Sequence, residues 1–331
     1  MKLTIRSAWG DLHVTRPIEV VRGLHNLRDS HRGCVATIGN FDGVHRGHQR
    51  MIDAVRQSAQ RARLPATLIT FEPTPREYFE RDQAPARLMR MREKLEALAR
   101  YGIDRVVVLR FDECMRNMTP GEFETELLAA KLGVRHLVVG DDFRYARQRQ
   151  GTIDTLRAAG ARHGFTVEQV PAVAVDGRRI SSSLVRQALG RGDMDDAAAL
   201  LGRPYRMSGR VRQGAKLGRT LGYPTANLAL HRQVIPLWGI LAVRVSGPGL
   251  ADHPAVVSLG TRPTVNGTDP LLEVHVFDFD GDLYGQHLYV DFFKWLRAER
   301  RFESLEALVE QMNRDAQQAR AALAEPRTGD P

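Results

Sequence analysis

Residues 35–49, VATIGNFDGVHRGHQ, read as a short apolar β-strand, a tight glycine-containing turn and the start of a helix. The unpaired N–H groups and the dipole at a helix start favour a bound phosphate at such a junction. Gly43 and Gly47 would let the backbone approach a ligand, and His45 and His48 can project from one side of the first turn. Either histidine alone could simply cap a turn. The pair between two glycines instead predicts two imidazoles facing a nucleotide's phosphates.

Apolar strand-like runs and amphipathic helical runs alternate around this stretch. Strands are predicted at residues 35–38, 66–71, 105–111, 136–140 and 166–170, with a weaker one at 18–21. Helices are predicted at residues 47–63, 88–101, 120–132 and 152–163. This alternation indicates an α/β domain with a doubly wound parallel sheet. Ligands bind beyond the C-terminal ends of the strands in such sheets, which is where residues 39–48 fall.

Two further segments in this half are candidates for ligand contact. Asp142 and Phe143, in GDDFRY, follow the fourth strand and suit a loop that stacks on a ring and touches phosphate, although a solvated charged loop would also explain them. A serine cluster opens the next helix, with Arg186 on its following turn. Serine is a good N-cap, and the cluster could also hold a triphosphate, so both roles stay open. The cluster consists of Ser181, Ser182 and Ser183.

The pattern changes near residues 190–205, and strand-like runs then recur without helices between them. They cover residues 205–212, 239–245, 255–259, 272–279 and 286–293. Asp280-Gly281 and the following residues up to Gly285 predict a hairpin turn. A small antiparallel β-barrel followed by a helix at 304–323 is the expected architecture. The domain boundaries that follow are 18–187 for the first domain, 188–202 for a linker helix and 203–325 for the barrel domain.

The barrel half carries its own candidate chemistry in PTAN and LEVHVFD. Thr225 and Asn227 lie two residues apart in an extended segment and offer oxygen ligands of the kind that Mg²⁺ accepts beside substrate phosphates. A β-turn with Asn227 bonded to its own backbone would be the simpler interpretation. Glu273 shares a strand face with His275 and Phe277 and could remove a proton from an alcohol attacking ATP. It could equally be an ordinary solvent-facing residue.

Composition and charge limit the classes of partner that we expect this protein to bind. The chain has 331 residues and a formal charge of +9, yet its arginines are dispersed and no polybasic tail stands out. Dispersed arginine favours solvated side chains and phosphate sites over a nucleic-acid groove, so a basic RNA-binding protein is the weaker alternative. No segment has the length and apolar character of a membrane span or signal peptide, which predicts a cytoplasmic protein without membrane association. Cys34 and Cys114 suggest neither a disulfide framework nor a metal site.

Taken in order, these motifs resemble the bifunctional prokaryotic riboflavin kinase/FMN adenylyltransferase (FAD synthetase) family. The resemblance runs from about residue 20 to 312 and rests on GNFDGVHRGH, TFEPTPRE, GDDFRYARQRQG, ISSSLVR, GRTLGYPTAN, LGTRPT and LEVHVFDFDGDLYG. It implies an HxGH-type nucleotidyltransferase domain that makes FAD from FMN and ATP, and a barrel that phosphorylates riboflavin. The implied substrates are riboflavin, FMN and ATP, with Mg²⁺ accompanying ATP and no permanently bound cofactor. The alternative is an HxGH nucleotidyltransferase for another phosphorylated substrate, with a non-catalytic barrel.

The resemblance also implies roles for individual residues. His45 and His48 would stabilise adenylyl transfer, Arg186 and the serine cluster would hold the β- and γ-phosphates, and Glu273 would be the catalytic base of the kinase. Thr225 and Asn227 would bind the metal and ATP. The remaining nucleotide- and flavin-binding residues would be Gly39, Phe41, Asp42, Gly43, Asp142, Phe143, Gly218, Thr220 and Arg262. The chain departs from the family at Thr74, where histidine is common, and at Leu241, where tyrosine is frequent.

Adenylyl transfer and riboflavin phosphorylation require different functional groups. The second pKa of a phosphate monoester is about 6, so the attacking phosphate of FMN is already ionised and adenylyl transfer needs no base. The first-domain motifs accordingly supply cationic and hydrogen-bonding groups. Riboflavin phosphorylation must deprotonate an alcohol, and the barrel half contributes a carboxylate.

Overall fold

The computed structural model describes residues 2–3, 17–213, 222–264 and 267–324, with the backbone alone at residues 2, 3, 262–264 and 267–269. Contacts divide the chain into two compact units. The first contains the described residues up to Pro85 together with Lys94–Ser181. The second contains Ala86–Glu93 and the described residues from Ser182 onward. A short segment from the first half of the sequence therefore packs with the second unit.

The first unit is built on a seven-stranded sheet with the order β1-β2-β5-β4-β3-β6-β7. Its strands are β1 Lys2–Leu3, β2 Ile18–Arg22, β3 Cys34–Ile38, β4 Ala66–Phe71, β5 Arg105–Leu109, β6 Val134–Gly140 and β7 Thr166–Val170. Strands β2 to β7 run parallel and only β1 is antiparallel to its neighbour. Every residue of β3 and β5 is buried, as expected for parallel strands covered on both faces. The predicted doubly wound parallel sheet is confirmed.

The order of strands places a topological switch between β3 and β6. From β3 the chain adds β4 and β5 on one side, and it later adds β6 and β7 on the other. Ligands of open α/β sheets bind in the crevice that forms where the strand order reverses, beyond the C-terminal ends of the strands. The turn after β3 and the GDDFRY loop after β6 lie at this position. Strands β8 Ala174–Val175 and β9 Arg178–Arg179 form a separate two-stranded ribbon.

The predicted helices are present with shifted ends. The helices of the structure are α1 Arg46–Ala62, α2 Pro75–Glu80, α3 Met91–Arg100, α4 Glu113–Asn117, α5 Pro120–Glu122 continuing as a π-helix over Phe123–Lys131, α6 Ile153–His163, α7 Ser182–Gly190, α8 Met194–Leu201 and α9 Leu305–Ala324. The sequence pattern did not indicate α2 and α4, which the structure adds. Helix α3 begins three residues later than residue 88 because the Glu93 carboxylate accepts a hydrogen bond from the Arg90 backbone N–H, at 2.7 Å, and caps the helix there. Within the described part of the chain, no helix combines the length and the apolar character needed to cross a membrane.

The second unit contains a closed antiparallel barrel with the order β10-β11-β14-β13-β12-β15. Its strands are β10 Tyr205–Arg212, β11 Ala226–Ala229, β12 Gly239–Gly247, β13 Leu250–Thr264, β14 Gly267–Val276 and β15 His287–Arg297. Helix α9 packs on β12, β13 and β15. Leu272, Val274 and Val276 are buried on the inner face of β14. The predicted barrel with a C-terminal helix is confirmed, and β11 adds a strand where the sequence indicated only an extended segment.

The predicted hairpin turn at residues 280–285 is wrong. Strand β14 pairs with β11 and β13, whereas β15 pairs with β10 and β12. The segment between β14 and β15 is therefore a connection across the barrel. An Asp-Gly pair specifies only a local chain reversal, while closure of the barrel decides which strand the chain joins next.

Candidate active sites

The turn between β3 and α1 has an unusual backbone. Phe41, Gly43 and Val44 all have positive φ, at 47°, 83° and 44°. Glycine adopts this region freely, but a β-branched residue such as valine does so only when its surroundings impose it. Val44 and Phe41 are both fully buried, so packing holds the turn in this shape. The turn presents the first residues of α1 at the switch point of the sheet.

His45 and His48 lie together at the start of α1. His45 is the N-cap residue, and its Nδ1 accepts a hydrogen bond from the His48 backbone N–H at 3.3 Å. The two rings stack with centroids 3.6 Å apart, and the Phe41 ring lies 4.6 Å from His48. A side chain at Gly47 would place its Cβ 3.2 Å from His45 Nδ1, so this glycine makes room for the imidazole. The predicted pair is thus one compact unit, in which His45 also caps the helix.

His48 is held in its neutral form. Burial, followed by the nearby His45 and the cationic Lys94, lowers the pKa of His48 well below 6.5. Among the described residues, the buried Nδ1 atom of His48 has no hydrogen-bond partner. Such an atom is costly to bury unless something else bonds it, which makes a ligand at this position favourable.

A cavity of about 810 Å³ opens beside this turn. Its wall includes Gly39, Asp142 and several aromatic rings. The rings belong to Phe71, Phe79, Phe111, Phe123, Phe143 and Tyr145. Phe143 and Tyr145 lie nearly parallel, with centroids 5.8 Å apart and an interplanar angle of 13°. Phe79 is 58% exposed at the rim, and the whole arrangement suits a large flat ring.

Of these rings, the sequence predicts only the two of the GDDFRY loop, Phe143 and Tyr145. Phe71 and Phe111 could have been found from their position, since Phe71 ends β4 and Phe111 lies two residues beyond β5. Both therefore occupy the C-terminal edge of the sheet, where ligands bind. Phe123 and Phe79 carry no such signal, because helices bring them to the cavity.

Thr74 has a structural role. Its side chain accepts a hydrogen bond from Glu77 N at 3.3 Å, and the Glu77 carboxylate accepts one from Thr74 N at 2.8 Å. This reciprocal capping box begins α2. The Thr74 hydroxyl therefore stabilises the helix start.

The serine segment straddles the division between the units. Ser181 belongs to the first unit, whereas Ser182, Ser183 and Arg186 open α7 in the second. Arg186 Nε donates a hydrogen bond to the Ala86 carbonyl at 2.5 Å. The predicted contact of these residues with the nucleotide's phosphates stays a prediction.

In the second unit, strand register gathers the predicted kinase residues. Asn227 on β11 lies directly opposite Glu273 on β14, and Glu273 lies opposite Ser258 on β13. Directly paired residues of neighbouring strands project from the same face. Thr225 precedes Asn227 by two residues and shares its face by the alternation of an extended chain. Glu273 lies on the outer face of the barrel, because its neighbours on β14 fill the interior.

A cavity of about 330 Å³ lies over this outer face. It is lined by Thr225, Glu273 and Ser258, by apolar residues of β12 and β13, and by residues of α9. His275 Nδ1 lies 2.9 Å from the Pro224 carbonyl oxygen, which connects Glu273's strand to the PTAN segment. Arg297 forms a forked ion pair with Asp315, at 2.9 and 2.6 Å. Ser258 and this ion pair had no signal in the sequence, because the barrel and α9 assemble them from distant segments.

The remaining predicted residues of this half are described only in part. Gly218 and Thr220 lie outside the described residues. The backbone of Arg262 belongs to β13 and pairs with Asp269, and its side chain is not among those described. These three assignments stay predictions.

The oxygen atoms of Thr225 and Asn227 in PTAN suit a Mg²⁺ ion that enters the site with a phosphate-bearing substrate. In the described part of the chain, no three His, Cys, Asp or Glu side chains group into a metal site. Mg²⁺ commonly takes one or two protein oxygens and completes its shell with water and phosphate oxygens. A threonine hydroxyl and an asparagine carbonyl on one face, beside a carboxylate, fit that requirement.

Comparisons with known proteins match both halves of the chain. The family model for FAD synthetase matches residues 27–184, and the one for riboflavin kinase matches residues 201–323. The bifunctional riboflavin kinase/FMN adenylyltransferases of Pseudomonas fluorescens and Escherichia coli K12 are 49% and 46% identical to this chain. The alignments cover 93% and 92% of this chain and 98% and 97% of those proteins. The Haemophilus influenzae protein of the same name is 44% identical over 92% of this chain and 99% of its own length.

The structural comparison points to a shared fold. A Streptococcus pneumoniae crystal structure described as a macrolide-efflux protein aligns with a TM-score of 0.81 and 28% identity, covering 92% of this chain and 99% of that one. The fold and the two family models together define a two-domain transferase, with a nucleotidyltransferase sheet followed by a kinase barrel. The chain belongs to the bifunctional riboflavin kinase/FMN adenylyltransferase family. Its function is therefore flavin cofactor biosynthesis.

Proposed function

We propose that each unit performs one of the two reactions with the residues described above. The observation that carries this assignment is the register of the barrel, which sets Asn227 directly opposite Glu273 beside a cavity. A carboxylate next to two oxygen ligands is what phosphorylation of an alcohol requires. The His45–His48 pair, in contrast, has no carboxylate assigned as a base and suits a nucleophile that is already ionised.

In the kinase reaction, Glu273 accepts the proton of the riboflavin hydroxyl as its oxygen attacks the γ-phosphorus of ATP, and ADP leaves. Thr225 and Asn227 are the proposed protein ligands of Mg²⁺, which neutralises charge on the phosphate oxygens when bound. The cavity between the barrel's outer face and α9 supplies apolar wall for the flavin ring. Its lining by Ile240, Val256 and Leu308 supports this placement.

In the adenylyl-transfer reaction, a phosphate oxygen of FMN attacks the α-phosphorus of ATP and pyrophosphate leaves. The proposed role of His45 and His48 is to bond the developing charge on the α-phosphate. Gly39, Phe41, Asp42 and Gly43 form the turn that positions them. The aromatic cavity with Asp142 and Phe143 is the proposed flavin site, supported by its parallel rings and its position at the sheet's switch point.

Riboflavin, FMN and ATP are the proposed substrates, with Mg²⁺ entering with ATP and no nucleic acid as partner. The proposed compartment is the cytoplasm. Support comes from the two cysteines, since Cys34 and Cys114 are both unpaired thiols, as is usual in a reducing environment.

Glu273→Gln tests the kinase assignment. Loss of the base should lower the rate constant for riboflavin phosphorylation by about 10²- to 10⁴-fold, because amide cannot accept the proton. FAD formation from supplied FMN should stay within about twofold. Chromatography of riboflavin, FMN and FAD measures both. A variant that still phosphorylates riboflavin at the wild-type rate would refute Glu273 as the base.

His48→Gln tests the adenylyl-transfer assignment. Removing one stabilising donor should lower kcat for FAD formation by about 10²- to 10³-fold. Riboflavin phosphorylation should be unchanged, and the same chromatographic assay follows it. If the variant also lost kinase activity while remaining folded by circular dichroism, the two sites would not be independent. If it kept both activities, His48 would have no part in the chemistry.

A further inference from the structure

The short segment Ala86–Glu93 clusters with the barrel although it comes from the first half of the sequence. Its last residue, Glu93, is 6% exposed. The Glu93 carboxylate accepts hydrogen bonds from the Ser208 backbone N–H and from the Ser208 hydroxyl, both at 3.0 Å. It also forms ion pairs with Arg90 and Arg232. One buried carboxylate thus joins three separate pieces of the second unit.

The barrel surface beneath this segment is polar and buried. Arg206, Ser208 and Arg210 alternate along β10, and each pairs directly with a polar residue of β15. Those partners are Asp291, Tyr289 and His287. Arg206, Ser208 and Asp291 are each less than a tenth exposed. Buried polar groups are tolerated when they are hydrogen-bonded: Arg206 pairs with Asp291, and Glu93 accepts the bonds of Ser208.

The same network reaches the strand that carries the kinase ligands. Arg232 lies three residues beyond the end of β11, and its NH1 donates to the Arg87 carbonyl at 2.6 Å. Strand β11 pairs with β10, and its last residue, Ala229, lies opposite Arg210. Arg210 is two residues beyond Ser208 on β10. Glu93 therefore holds β10 through Ser208 and the connection after β11 through Arg232. Both attachments lie at the C-terminal end of β11, beyond Ala229, and Asn227 faces Glu273 two residues before that end.

We propose that Glu93 is a positioning residue for riboflavin phosphorylation: its bonds to Ser208 and Arg232 fix the end of β11, the strand that carries Asn227 and directly follows Thr225. The inference rests on the proposed kinase site. It assigns a role in the barrel's reaction to a residue about 130 positions before that strand. It also means that a barrel produced from residue 203 onward lacks a buried part of its own unit, so full-length variants are the sound test.

Glu93→Gln in the full-length protein tests the proposal. The amide replaces one acceptor oxygen by an N–H donor that faces arginine, which should loosen the end of β11. The KM of the kinase for Mg²⁺-ATP should rise about tenfold, with a matching rise in the Mg²⁺ concentration for half-maximal rate. FAD formation from FMN should stay within about twofold. Glu310→Gln, which breaks an exposed ion pair with Arg314 in the same unit, is the matched control and should change neither activity.

A purely structural role would give a different result. It would lower the thermal midpoint while leaving the kinase KM of the folded protein unchanged, and that outcome would overturn the proposal. Equal loss of both activities would overturn it as well. If Glu93→Gln fails to fold, Ser208→Ala is the second variant, since it removes only the hydroxyl donor. It should raise the kinase KM for Mg²⁺-ATP about threefold, and an unchanged KM would contradict the proposal. Glu273→Gln separates the proposed kinase site from the positioning role. If Glu273→Gln loses kinase activity but Glu93→Gln has no effect, the kinase site stands and only the positioning role is refuted.

Discussion

At the scale of single residues, the imidazole pair shows what sequence can and cannot supply. Spacing alone places His45 and His48 on one side of a helix start, and the structure stacks their rings at 3.6 Å. The protonation state of His48 had no signal in the sequence, because it depends on burial and on Lys94, which a later helix supplies. The space that Gly47 leaves for the His45 ring likewise had no signal in the sequence, because it depends on the shape of the folded turn.

The lowered pKa of His48 gives a direct prediction. In the ligand-free protein its imidazole should be neutral at pH 6.5, where an unperturbed histidine is half protonated. Its ring resonances, assigned with His48→Gln, should therefore titrate at a pH well below 6.5 in NMR spectra. Because the folded state binds this proton less readily than the unfolded state, His48 also lowers stability as the pH falls below about 6.5. A His48 titration at or above 6.5 would contradict this description of the site.

At the scale of elements, several strands were predicted closely, and β4 and β7 match their predicted bounds. Strand β11 was not predicted as a strand, and the hairpin at residues 280–285 was predicted wrongly, for a common reason. Both depend on which strands become neighbours when the barrel closes, and a local pattern contains no such information. The start of α3 shifted because Glu93 caps it.

Helix α2 offers a test of local capping. Thr74→Ala removes the hydroxyl that accepts the Glu77 N–H and should lower the free energy of unfolding of the first unit by about 1 kcal/mol. Thr74→Ser keeps the acceptor and serves as the control. Denaturant unfolding followed by circular dichroism measures both. Equal stability of the alanine variant and the wild type would show that the capping box contributes nothing.

Strand β15 carries a residue that should make the second unit acid-sensitive. Burial, together with the charges of Arg92, Arg90 and Arg210, lowers the pKa of His287 from 6.5 to about 4. Between these values the unfolded chain binds a proton that the folded chain does not, so stability should fall as the pH drops from 6.5 to 4.

His287→Asn should remove part of this dependence. Allowing for partial solvation, the difference in unfolding free energy between pH 7 and pH 4.5 should shrink by about 1 to 2 kcal/mol. Unfolding in denaturant at the two pH values measures it. An unchanged pH dependence in the variant would contradict a neutral, half-buried His287.

At the scale of the whole molecule, the sequence predicted the two architectures and the order in which they occur. It did not predict that Ala86–Glu93 packs with the barrel, because most of this segment fell within the helix predicted at 88–101, and periodicity does not show which core the start of a helix packs against. The signal exists only in three dimensions, where Glu93 meets Arg232 across 139 positions of sequence. Motif residues were therefore predictable, whereas the residues that hold them in place were not.

The central claim is that two independent sites act in succession, and a mixing experiment with Glu273→Gln and His48→Gln tests it most directly. Given riboflavin, ATP and Mg²⁺, the first variant should form almost no product and the second should stop at FMN. An equimolar mixture should form FAD, because FMN released by one variant can reach the intact adenylyl-transfer site of the other. Failure of the mixture to form FAD, with both variants folded, would contradict two independent sites.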